Sequence, residues 1–439
     1  MNHGAGTGGE AEAVRVARAR RVRGAMPPGG LFAGKEWRVA AEPFQLPSGM
    51  VGELDKLGFR LRKFVEACNL LYRLSVNGKR PAWIAELLDR GKPPELVELA
   101  RSKSLTDQVP RVIRPDVILT NEGFTVAELD NVPGGIGLTA WLNEVYAAEG
   151  FDVVGGRGMV EGFRTLVSGS DIVISEEASD YRPEMEWMAA KAGVRVFGAG
   201  SHPAGLAGGV YRFFELFDLP NIPGSMDLLR DAAGGRLRMT PPPKPWLEEK
   251  LWFALFWLRP LADFWRRELG DRHFAELQTV IPQTWLMDPE PLPVTAVLPG
   301  LGIQNWGELK TFSQKERELV LKISGFSELA WGSRSVRVGQ DLPQEDWGRA
   351  IDGALDDWPR RPWILQKFHQ ARVVEMEYAG PDGAEEMIPM KGRVRLCPYY
   401  FCGPRETKLG GVLATICPAD KKLLHGMRDA ILAPVMGGV

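Results

Sequence analysis

The segment VIRPDVILTNEGFTVAELDNVPGG, residues 112–135, constrains the fold more tightly than any other stretch of the chain. Two runs of apolar and β-branched residues flank Asn121-Glu122-Gly123, which predicts a β-hairpin with a three-residue loop and glycine at its left-handed position. With Thr120 opposite Phe124, Asp116 falls opposite Glu128 and Arg114 opposite Asp130. Strand alternation then sends all four side chains to one face. Ile113, Val117, Leu119, Ala127 and Leu129 form the opposite, core-facing side. The register decides everything, because a two-residue loop would reverse the parity and scatter the charges.

Three carboxylates and one guanidinium on one face repel unless something neutralises them. Arg114 offsets one charge. A hard divalent cation would offset the rest, and carboxylate oxygens are the ligands that Mg²⁺ takes. Asp116, Glu128 and Asp130 are therefore candidate metal ligands; a solvated acidic hairpin with one salt bridge is the bland alternative. If repulsion dominates, removing one carboxylate leaves metal-free stability intact. Pro133-Gly134-Gly135-Ile136-Gly137 follows and leads into a helical run, Leu138 to Ala148. Such a loop either brings a phosphate or carboxylate to a helix start or is only a turn.

Around this hairpin the chain divides by texture. Residues 1–40 are rich in Gly, Ala and Arg and read as a disordered tail, with a basic run from Val14 to Arg23. Leu54 to Val76 and Ala82 to Ser102 carry apolar residues at helical spacing. SDIVISEEASD (170–180) reads as a buried strand with an acidic exit, and VRVFGAGSHPAG (194–205) as a strand running into a loop. These predict an α/β layer region over about 110–240. TPPPKPW (240–246) cannot continue a helix and marks a domain boundary, giving regions 41–240 and 246–439. Leu247 to Glu268 reads as an aromatic helix interrupted at Pro260. ELVLKIS (318–324), WILQKF (363–368) and GRVRLC (392–397) read as strands, with a helix near Gln344 to Leu355.

The second half carries its own chemistry. Lys322 leaves an apolar strand beside a Gly/Ser-rich loop that includes Gly325, Gly332, Ser333 and Arg334, a setting in which a lysine can hold phosphates while the loop closes. It is neither a P-loop nor a dinucleotide fingerprint. The strand containing Gln366 and Phe368 turns polar at its end and could form a base-binding slot or simply pack in the core. Lys250 either reaches a phosphate or pairs with Glu248 or Glu249.

Other classes are excluded. Lys+Arg 54 against Asp+Glu 56 gives no electrostatic case for nucleic-acid binding. No apolar run reaches the ~18 residues of a membrane span. The start lacks the apolar core of a signal peptide, and four cysteines in this length suit a reducing cytoplasm. The five histidines (His3, His202, His273, His369, His425) are scattered, and no Ser-His-Asp or Cys-His constellation emerges.

Arg114-x-Asp116 followed by Glu128-x-Asp130 resembles the metal-binding segment of the glutathionylspermidine synthase-like proteins, over roughly residues 110–420. The resemblance implies a circularly permuted ATP-grasp fold of the α+β and α/β kind, preceded by an α/β pre-ATP-grasp region. It implies ATP and Mg²⁺ as cofactors, with Asp116, Glu128 and Asp130 on the metal and Arg114 facing the reacting phosphoryl group. Lys250 and Lys322 would hold ATP phosphates, with the Gly325–Gly339 loop and the Gln366 hinge completing the nucleotide site. Two positions depart from the family. Asp130 stands where asparagine is usual, and Ile323 where proline is usual. The chain has no room for the separate amidase domain of bifunctional members, so the glutathione–spermidine pair is not implied.

The activity implied is ligation of a small-molecule or peptide carboxylate to an amine through an acyl phosphate. A degenerate nucleotide-binding scaffold on the same frame, or a simple kinase, are the alternatives. Turnover requiring both an acid and an amine singles out the ligase.

Overall fold

A computed structural model describes residues 6–199, 205–293, 296–330, 332, 334–380, 386–421 and 428–438. Three sheets organise them. The first has eight strands, six of which lie in the order Arg38–Val39, Ile431–Met436, Thr407–Pro418, Met387–Cys402, Val112–Thr120 and Gly123–Asp130. Val373–Ala379 adds to the 387–402 strand, and Phe44–Gln45 to the 431–436 strand. The second is antiparallel, in the order Arg337–Val338, Leu319–Ile323, Trp363–Lys367 and Thr284–Leu286. The third is parallel, with Val196–Gly198, Asp171–Ile174, Gly209–Phe213 and Arg238–Thr240 side by side. Asp171–Ile174 is buried along its whole length: Ile172, Val173 and Ile174 suit a strand flanked on both sides in a parallel sheet, and Asp171 pairs with Arg195.

The Met50–Val76 helix buries Leu54, Leu57, Leu61, Phe64 and Leu71, a stripe at three- and four-residue spacing, against the eight-stranded sheet. Gly58 lets it sit there, since a Cβ would stand 2.3 Å from the Tyr400 ring. The aromatic segment closes over the same core. It runs as Leu251–Trp257, a short turn at Arg259–Leu261 and Ala262–Leu269, with the break at Pro260. Phe64 stacks on Trp265 at 5.5 Å and meets Phe256 edge-on at 5.5 Å. Such aromatic pairs contribute about 0.5–1.5 kcal/mol beyond their buried area.

Residues 6–24 are a helix, not a loose tail. Val16, Ala19 and Val22 lie buried at three-residue spacing, and Arg21 makes a two-pronged contact to Glu149 at 2.8 and 2.6 Å. The arginines that gave the segment its solvated composition are the ones that tie it down. The Ala82–Ser102 stretch is two short helices, Trp83–Asp89 and Pro94–Ala100, divided where two prolines follow Gly91-Lys92. The proline-rich segment follows the last strand of the parallel sheet, but it is buried: Trp246 stacks on Tyr72 at 3.8 Å. The eight-stranded sheet draws strands from both sides of it.

Candidate active site

The hairpin turns over two residues, Asn121 and Glu122, with Thr120 opposite Gly123 (φ +146°), and not over three. That shorter loop would have turned the charges to the wrong face. A bulge between Asp116 and Val117 leaves Ala127 unpaired and restores the parity, so that Asp116 pairs with Glu128 and Arg114 with Asp130. The bulge also exchanges two apolar residues. Val126, opposite Val117, enters the core, and Ala127 turns to the other side.

The carboxylates are matched by cations from the hairpin itself, from the 387–402 strand and from the start of the Leu251–Trp257 helix. Arg114 Nη2 lies 3.1 Å from Asp116 Oδ1 and 3.0 Å from Asp130 Oδ2. Arg395 Nη1 donates to Asp116 Oδ2 at 3.0 Å, and Lys250 Nζ stands 3.5 Å from Glu128 Oε2. Arg395 and Lys250 thus supply the neutralisation expected of a metal ion. Burial works against the charge on Arg395, but the pull of Asp116, aided by Cys397 and Glu128, outweighs it and raises its proton affinity. Among the described residues, no three His, Cys, Asp or Glu side chains converge on one point that could hold a metal.

Above the hairpin lies a cavity of about 270 Å³ between the eight-stranded and four-stranded antiparallel sheets. Alternation builds its walls. From the 319–323 strand Val320 and Lys322 face it, while Leu319 and Leu321 enter the core behind. Asp116, Ile118, Thr125 and Glu128 line it from the hairpin, Arg393 and Arg395 from the 387–402 strand, and Gln366 and Phe368 from the end of the 363–367 strand. Val338 adds an apolar patch. The volume is near the lower end of the range for small-molecule sites, about 300 Å³. His369 also lines it, held below its usual proton affinity by burial and by Lys367.

Lys322 is 7% exposed. Its Nζ donates to Gln366 Oε1 at 2.8 Å and to the carbonyl of Ala127 at 3.3 Å. Burial lowers its pKa to about 8, with Glu128 and Asp116 pulling it up and Lys250 pushing it down. Lys250 lies beside this site but off the cavity wall, and its Nζ also donates to the Ala330 carbonyl at 3.4 Å. Glu248 and Glu249 are engaged elsewhere, with Arg212 and with Lys92 respectively. Gly325 packs where a Cβ would be 2.9 Å from the Glu249 carboxylate. Gly332 and Arg334 are exposed and outside the cavity lining; Ser333 lies outside the described residues. Arg114 and Asp130 also stand behind the wall. The glycine-rich turn after the hairpin offers no open anion site, because Glu184 accepts the N–H groups of Gly135 at 2.6 Å and Leu138 at 2.9 Å.

Arg393 and Arg395 are the functional candidates that residue patterns passed over. Their signal is the alternation Arg-Val-Arg in GRVRLC, which puts both guanidiniums on one face of a strand. For Mg²⁺, the oxygens of Asp116 and Glu128, paired across the hairpin on the cavity wall, have the right chemistry. Asp130 fits less well: its Oδ1 takes the Val132 N–H and its Oδ2 takes Arg114.

No family model matches the sequence, and no curated protein does either. Among solved structures, a glutathione synthetase-like effector from Globodera pallida, in its apo form, superposes with a TM-score of 0.56 at 9% identity, over 99% of this chain and 98% of its own. A protein provisionally named gamma-glutamylcysteine synthetase, from Methylobacillus flagellatus, superposes with a TM-score of only 0.39 at 9% identity, over 83% of this chain and 87% of its own. The chain has a mixed α/β fold like that of the glutathione synthetase-like effector.

Proposed function

We propose that the chain is an ATP-dependent ligase that joins a carboxylate to an amine and releases ADP and phosphate. The observation that carries this reading is the cavity between two sheets, where Lys322, Arg393 and Arg395 share a wall with the apolar Val320, Val338 and Phe368. A nucleoside triphosphate needs such a combination, with cations for the phosphates and flat apolar surfaces for the base. The fold likeness to a synthetase-like protein agrees with it. In the ATP-grasp reading the hairpin precedes the phosphate lysine in the chain, which is the circularly permuted order, and the parallel sheet is the preceding α/β region.

In this reading a substrate carboxylate oxygen attacks the γ-phosphorus, and the bond to the ADP oxygen breaks. The amine then attacks the acyl carbon, phosphate leaves with the C–O bond pair, and the amine nitrogen gives up a proton. Lys322 and Arg395 hold the phosphates in line for the first step, and Arg114 orients Asp116 from behind. Mg²⁺ held by Asp116 and Glu128 would neutralise charge on the terminal phosphates.

The test is phosphate release from ATP with pooled acids and amines, followed by chromatography of the spent nucleotide. ADP formed only when both an acid and an amine are present supports the ligase. AMP formed in step with amide overturns the acyl-phosphate route. A second reading, nucleotide binding without turnover, draws on one observation: Arg395 and Lys250 already occupy oxygens of Asp116 and Glu128. Saturable ATP binding with no product under any pool would favour it.

A further inference from the structure

The side chain of Gln366 does not point into open space. Its Oε1 accepts from Lys322 Nζ at 2.8 Å, and its Nε2 donates to Thr284 Oγ1 at 3.2 Å. Gln366 and Thr284 are each 2% exposed and paired across neighbouring strands, so the amide has little freedom to swing. The second acceptor for Lys322 is the carbonyl of Ala127, the residue that the hairpin bulge leaves without a ladder partner. A lysine ammonium has three donors on a flexible stem and no fixed geometry of its own. Here two acceptors from two different sheets fix it.

We propose that Gln366, braced by Thr284, is a positioning residue that aims Lys322 at the nucleotide phosphates and takes no part in reading the base. This rests on the nucleotide reading of the cavity. It assigns a role to Thr284, which lies outside the cavity wall.

The test compares ATP with adenosine by calorimetric titration. Gln366→Leu is expected to weaken ATP about tenfold, which is about 1.4 kcal/mol, and to leave adenosine unchanged. Thr284→Val is expected to weaken ATP in the same sense by a smaller factor, and Thr284→Ser to restore it. In a Lys322→Met background Gln366→Leu is expected to have no further effect, since the two residues act as one unit. Circular dichroism checks that each variant is folded; if Gln366→Leu is not, Thr284→Val and Thr284→Ser carry the comparison. Equal loss of ATP and adenosine affinity in Gln366→Leu would overturn the proposal in favour of base contact. Additive losses in the double variant would overturn it too. Wild-type protein that binds neither ligand would overturn the nucleotide reading instead, and this proposal with it.

Discussion

Asp116→Asn should destabilise the protein strongly with no metal present, and Glu128→Gln should not. Asp116 is 5% exposed, and its two oxygens engage Arg114 at 3.1 Å and Arg395 at 3.0 Å. At an effective dielectric constant of about 20, unit charges about 4 Å apart attract by about 4 kcal/mol. Desolvation offsets much of that, but removing one partner of a buried pair costs about 3–5 kcal/mol because the other charge is stranded. Arg114 keeps Asp130 and asparagine keeps the volume and an acceptor oxygen, so the expected loss is about 3 kcal/mol, mostly from Arg395. The Glu128 side chain is 32% exposed, with Lys250 at 3.5 Å. A pair of that kind contributes about 0–1 kcal/mol after screening. Urea titrations in EDTA measure both. Repulsion among bare carboxylates predicts no metal-free loss for either variant, so the Asp116→Asn loss sets the two accounts apart. A Glu128→Gln loss as large as that of Asp116→Asn would refute it, as would an Asp116→Asn variant as stable as wild type.

Lys322→Met should fold normally and lose at least tenfold in ATP affinity by calorimetry. In the wild type that affinity should be flat below pH 8 and fall above it, by up to about tenfold per pH unit. Lys322 is charged below its lowered pKa of about 8 and must take up a proton to meet phosphate above it; the Lys322→Met variant should lack the slope. Glu184→Ala should cost about 2–4 kcal/mol in urea titration, because it strands the buried N–H groups of Gly135 and Leu138. Mg²⁺ alone should show no saturable calorimetric binding at sub-millimolar concentration, whereas Mg²⁺ with a non-hydrolysable ATP analogue should; tight binding of the metal alone would contradict the charge balance around Asp116 and Glu128.

The hairpin was legible because period-two alternation and the Asn-Glu-Gly turn are local signals. Its loop length was not, because a bulge is a property of two strands together. The shorter loop and the bulge cancel, so the charged pairs stand in the expected register while Val126 and Ala127 exchange places. Lys322 was legible as a strand residue beside glycines. Its partners, Gln366 and Ala127, belong to two other strands that only the fold brings together. Arg395 meets Asp116 across 279 residues of chain, and no window of sequence reports a contact of that length. The first helix was hidden in the same way, since Glu149 and Glu377, which anchor its arginines, lie far along the chain.

If the nucleotide reading holds, the charges explain how one site can be balanced within the protein and still accept a polyanion. Lys322, Lys367, Arg393 and Arg395 line the cavity with Asp116, Glu128 and Asp341, so its wall carries four cations against three carboxylates. Three cations are held by internal acceptors: Arg395 by Asp116, Lys322 by Gln366 and Ala127, and Lys250 behind the wall by Glu128. On the nucleotide reading, a triphosphate would offer Lys322 charged acceptors in place of a neutral amide and a carbonyl, and would offer Arg395 and Lys250 more negative charge than the single carboxylate each faces. Were those cations to turn to phosphate, Asp116 and Glu128 would lose their compensation together, on the same wall and opposite one another. Two such carboxylates beside a triphosphate would favour a divalent cation that the protein's own ion pairs otherwise make unnecessary. Nucleotide and metal affinity are then linked through Arg395 and Lys250, and each should strengthen the other by the same factor.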